Sequence, residues 1–160
     1  MNVWSEKNKV VNATVPVADT FNGDPQTTEV NMKNYNRCTF LVMTGAAADN
    51  TNAITVQAGS SVSSCATEIA FKYRKIVSGD TYGALTTAVA GTGVSLTAST
   101  ANQYVIVEVD AAVVAAAGTD YCCVACTVTE AGNKGAAVGC VVAILSEPRY
   151  PQALLESAIV

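Results

Sequence analysis

The residues with the most specific chemistry are Cys122-Cys123-Val124-Ala125-Cys126, with Cys140 on the next strand-like run. Thiols at this density raise three possibilities: a metal site, a disulfide or a nucleophile. In an extended strand Cys122 and Cys126 face one way and Cys123 the other. Structural zinc sites place their ligand pairs in a turn, with a short spacer between them. No metal site is therefore expected. The opening Met-Asn-Val-Trp-Ser-Glu-Lys carries no apolar signal core, so synthesis and folding in a cytoplasm are expected. In that compartment Cys38, Cys65, Cys122, Cys123, Cys126 and Cys140 are expected to be reduced, buried small hydrophobes.

The chain contains no histidine. That removes the commonest general base, the Ser-His and Cys-His nucleophile pairs and every imidazole metal site. Glu108 and Asp110 share a parity at the end of one strand-like run, and paired carboxylates can hydrolyse glycosides. Two carboxylates at i, i+2 beside a helix-capping position are better explained as a solvated strand end. Ala90-Gly91-Thr92-Gly93 lacks the Lys and Ser/Thr of a phosphate loop, so a turn is expected there. No catalytic residue, cofactor or small-molecule substrate is expected.

Nor does the charge point to nucleic acid. The formal net charge is −4, the calculated pI is about 4.6, and no Lys or Arg occurs between Lys75 and Lys134. The run Lys72-Tyr73-Arg74-Lys75 is expected to be a solvated strand face. The longest unbroken apolar run, Ala136 to Leu145, is too short for the ~20 residues of a membrane helix.

The elements that position these residues are strands. Half the residues are hydrophobic and 14% are charged, and Val, Ile, Thr and aromatic runs alternate with Gly, Asn, Asp and Ser clusters. Expected strands are 9–17, 27–32, 37–44, 53–57, 68–76, 93–97, 103–109, 120–129 and 137–145. The period of two puts Ile69, Phe71 and Tyr73 on one face and Glu68, Lys72 and Arg74 on the other. The runs 37–44 and 137–145 are apolar on both faces, predicting central strands covered on both sides. Asp49-Asn50-Thr51-Asn52 and Ser78-Gly79-Asp80 are expected turns of a meander. Asp110 should cap a short helix that Gly118 closes in the left-handed conformation.

The organisation expected is an extended N-terminal segment over 1–25, one β-sandwich domain over 26–145, jelly-roll-like, and a C-terminal arm over 146–160. Pro148 and Pro151 remove amide donors, so Ser146 to Gln152 should not be a central strand. The apolar end from Ala153 to Val160 needs a surface, either on a neighbour or on its own domain. Interface anchors of the kind that dominate binding are aromatic, Arg and aliphatic side chains. The candidates are Val3, Trp4, Pro148, Arg149, Tyr150, Leu154 and Leu155.

Three runs, Ile69-Ala70-Phe71-Lys72-Tyr73-Arg74-Lys75, Ser78 to Thr86 and Gln103-Tyr104-Val105-Ile106-Val107-Glu108-Val109-Asp110, together with the ending Val142 to Tyr150 and Ala158-Ile159-Val160, resemble a family of small structural proteins of tailed bacteriophages. The similarity covers most of the chain from about residue 27 onward. The thiols at Cys122 to Cys126 depart from it, since ordinary apolar residues stand there in that pattern. The resemblance implies a non-enzymatic virion protein: a capsid decoration (cement) protein, expected as a homotrimer on the capsid exterior that binds the major capsid protein. A head–tail joining or tail/fibre protein is the alternative. A carbohydrate-binding module is a third reading, disfavoured by the single Trp.

Overall fold

The computed structural model describes residues 3–23, 25–45, 52–96, 103–130, 138–150 and 157–159. Two antiparallel sheets pack face to face, so the fold is an all-β sandwich. One sheet has seven strands in the order β1 (Lys9–Val17), β12 (Gly139–Pro148), β3 (Tyr35–Thr44), β10 (Gln103–Asp110), β6 (Phe71–Ser78) and β7 (Thr81–Tyr82), with β8 (Thr86–Ala88) also on β6. The other has five, in the order β2 (Val30–Asn31), β11 (Cys123–Glu130), β4 (Asn52–Gly59) and β5 (Thr67–Glu68), with β9 (Val94–Ser95) also on β4. This order establishes the sandwich without establishing a jelly-roll path. Among the described residues no helix is long and apolar enough to cross a membrane.

The period-two pattern explains the core. Val11 and Ala13, Val141, Ala143 and Leu145, Cys38, Phe40 and Val42, and Val105, Val107 and Val109 point inward from the larger sheet. They meet Ile54, Val56 and Ala58 of β4 and Val124, Cys126 and Val128 of β11. The single strand expected over 68–76 is divided: Glu68 pairs with Gln57 in the five-stranded sheet, and β6 begins at Phe71 in the other. Ile69 and Phe71 are buried and Tyr73 packs on the core, while Glu68 and Lys72 are exposed and Arg74 is half-buried.

The meander expectation is corrected. From β1 to β4, consecutive strands alternate between the two sheets. Accordingly, 49–52 does not join a hairpin, because β3 and β4 belong to different sheets; residues 49–51 themselves lie outside the described set. Ser78 and Thr81 do pair across Gly79-Asp80, with Gly79 at φ +54° supplying the turn.

The N-terminal segment is part of the body: β1 is a full edge strand, and Phe21 is buried in the core. At the other end β12 runs through Pro148, which pairs with Tyr35. Proline is tolerated there because the pairing of β1 ends at Leu145, leaving that side of β12 without a partner strand among the described residues. Ala158 is buried in the core, and its carbonyl accepts from Asn31 N at 2.7 Å. The region 146–160 is thus tied to its own domain at both described ends, and is not a free arm there.

Helix α1 (Ala111–Ala117) forms as expected, with Asp110 Oδ1 accepting from Ala112 N at 2.8 Å. Gly118 does not close it in the left-handed conformation; its φ is −177°. Glycine is needed for space instead, since a Cβ there would lie 2.7 Å from the Tyr121 ring.

Candidate interaction surfaces

Three features gather side chains that could act: the end of the larger sheet where the terminal segments emerge, the outer face of that sheet, and the thiol cluster.

Lys9 of β1 pairs with Leu145 of β12, and the strands are antiparallel. The start of β1 and the end of β12 therefore lie at the same end of the sheet, where β12 continues beside β3 through Pro148. Val3 N donates to Glu6 Oε2 at 3.2 Å, and the Trp4 carbonyl accepts from Asn8 N and Asn8 Nδ2, forming a single 3-10 turn over Trp4–Glu6. The turn leaves Trp4 57% exposed. Opposite, Arg149 N donates to Asn34 O at 2.9 Å and Arg149 Nε to Asn36 Oδ1 at 3.1 Å, while Tyr150 is 65% exposed. Glu147, at φ +57°, lies with its carboxylate 3.5 Å from Arg37 Nε. Of the anchors expected from sequence, Val3, Trp4, Pro148, Arg149 and Tyr150 come to one end of the sheet; Leu154 and Leu155 lie outside the described residues.

A groove of about 320 Å³ opens at the same end, between α1 and β8. Arg37, Lys72, Glu108 and Asp110 line it together with Leu85 and Val113. Register explains the convergence: Asp110 stands opposite Arg37, and Glu108 opposite Lys72. The two carboxylates do share a concavity, as an acid–base pair requires, but one Asp110 oxygen is committed to the helix cap and two cations share the lining.

On the outer face of the sheet, cross-strand rows run Val142–Leu41–Ile106 and Cys140–Met43–Tyr104–Ile76. All are half-buried except Tyr104, which is 38% exposed. The expectation that β3 and β12 are covered on both sides is corrected. They are central within the sheet, yet their outer apolar side chains remain partly open. Sequence showed the apolarity of both faces but not that, among the described residues, one would lack a second sheet against it.

The thiols divide differently from a uniform strand. Cys126 points into the main core, whereas Cys123 joins Cys65, Cys122, Ala125 and Val62 in a small cluster outside the five-stranded sheet. Cys122 precedes β11, so it escapes the alternation and brings its Sγ within 3.7 Å of Cys123 Sγ. Burial, reinforced by the neighbouring thiols and Glu29, pushes Cys65 and Cys123 up to about 12. Such thiols stay protonated near neutral pH, which suppresses nucleophilicity and metal binding. Among the described residues no three His, Cys, Asp or Glu side chains are placed to hold a metal ion.

Comparisons against protein-family models, curated proteins and solved structures return no match.

Proposed function

We propose that this chain is a non-enzymatic virion structural protein that binds and stabilises a bacteriophage capsid from outside, with the major capsid protein as its partner. The observation that carries this reading is the end of the larger sheet, where Trp4 and Tyr150 stand exposed on two segments held by backbone hydrogen bonds. Pre-ordered aromatic anchors lose little entropy on docking, and aromatic and Arg side chains dominate interface energetics. The resemblance to tailed-phage structural proteins supplies the identity of the partner. The mechanism is linkage: a protein that binds only the assembled shell stabilises it by mass action.

A head–tail joining position is the second reading, since the same end could contact a ring instead of a shell. Copy number separates the two. Quantitative mass spectrometry of purified particles should find this chain at a stoichiometry comparable to the major capsid protein; a single ring's worth would support the second reading.

A further inference from the structure

The thiol cluster outside the five-stranded sheet has no role in the docking end described above. We propose that Cys122 and Cys123 are a thiol–disulfide redox pair: Cys122 attacks a small-molecule disulfide, and Cys123 completes the exchange by bonding to Cys122.

The backbone brings this pair together. Adjacent side chains of a strand point to opposite faces, but Cys122 lies just outside β11, two residues after Asp120 at φ +59° in the left-handed region. Its backbone is held on both sides, its N donating to Gly59 O at 3.0 Å and its carbonyl accepting from Met32 N at 2.7 Å. The result is an Sγ–Sγ separation of 3.7 Å, one side-chain rotation away from the about 2.05 Å of a disulfide bond. Cys65 shares the cluster, but its Sγ is directed to Ser61 O at 3.9 Å.

The two thiols differ as the two steps require. Cys122 is half-buried, whereas Cys123 is fully buried. A disulfide of the size of glutathione disulfide therefore meets Cys122 first. Cys122 gives its proton to water, its sulfur bonds to one glutathione sulfur, and the other glutathione leaves as a thiolate that takes up a proton. Cys123 then gives its proton to water and its sulfur bonds to Cys122 Sγ, expelling the second glutathione in the same way. Two protein thiols are oxidised, and one disulfide is reduced to two thiols. Burial, with Cys122, Cys65 and Glu29 beside it, pushes Cys123 up to about 12, so about one part in 10⁵ is thiolate at neutral pH. The effective molarity of an oriented intramolecular attack, about 10⁵ M or more, offsets that scarcity.

The ring joins residues whose Cα atoms are about 3.8 Å apart, below the roughly 4.4–6.8 Å that disulfides ordinarily span. It is strained and hence readily reduced, which makes it a reversible modification and not a staple of the fold.

Incubation of the full chain with glutathione disulfide at mildly alkaline pH, followed by peptide mapping over time, tests this. One glutathione should appear on Cys122 and then be lost, leaving that peptide lighter than its reduced form by two hydrogens, and reduced glutathione should reverse the change. Cys123→Ser should stop at the Cys122 adduct and Cys122→Ser should abolish the ring, while Cys65→Ser should leave it unchanged. The wild-type time course decides the matter even where a variant fails to fold. A glutathione adduct that persists on wild-type Cys122, no reaction at Cys122, or a disulfide that includes Cys65 or a second chain would overturn the proposal.

Discussion

The ring of Phe21 occupies the space that a Cβ on Gly139 would fill. The Thr20 hydroxyl fastens the same point, donating to Gly139 O at 2.8 Å and accepting from Gly139 N at 3.1 Å. The turn after β1 is thereby locked to the start of β12, 119 residues away. Gly139→Ala should destabilise the fold by about 1–3 kcal/mol through overpacking, and Phe21→Ala by about 3–5 kcal/mol through the cavity it leaves. Urea unfolding followed by circular dichroism measures both.

This contact also shows what the sequence could not reveal. The alternation in Lys9 to Val17, the two-faced apolarity of 37–44 and the Asp110 cap are local signals, and they located β1, β3 and α1 correctly. The pairing of consecutive strands is not local. The strands of a meander and those of a chain that alternates between sheets carry the same alternation, so the expected neighbours were wrong even where the strands were right; the run 68–76 divides between the two sheets, and β7 and β8 are too short to carry a pattern. Phe21 lies in a segment with turn chemistry, and only the arrival of Gly139 from the far end of the chain makes it a core residue. The anchors at Trp4 and Tyr150 were legible by residue type, but that they emerge together depends on the Lys9–Leu145 register.

Removing the helix cap with Asp110→Ala should cost about 1 kcal/mol, because Ala112 N would lose its acceptor. Asp110→Asn should restore most of that stability. If Asp110→Ala leaves the urea midpoint unchanged, the cap is not contributing to the fold.

The core thiols predict a loss of stability in alkali. Burial pushes Cys126 up to about 12, and burial together with Cys126 raises Cys38 still further, from an ordinary value near 9. In the unfolded chain these thiols ionise near pH 9, while in the fold they keep their protons. Their contribution is therefore fully present below pH 9 and declines as pH rises toward about 12, where the unfolded state binds fewer protons. The urea midpoint should fall less between about pH 8 and 10.5 in Cys126→Ala than in wild type, although the variant starts lower. At neutral pH, Ellman's reagent should modify Cys38 and Cys126 only on unfolding, and Cys122 and Cys140 first.

Trp4→Ala and Tyr150→Ala should change the urea midpoint by no more than about 0.5 kcal/mol, since both side chains are exposed. Each should weaken binding to purified capsid shells by about 2 kcal/mol or more, the scale of an interface hot spot. Co-sedimentation of the variants with shells measures this, and wild-type retention of both would remove the docking role of this end.

The most direct measurement of the proposed function is a cryo-EM map of the virion proposed to carry this chain. The proposal predicts density for the sandwich across the outer capsid surface, at a copy number comparable to the major capsid protein, with the Trp4 and Tyr150 end against the shell. Sandwich density confined to one portal or tail ring, or absent from the particle, would contradict it.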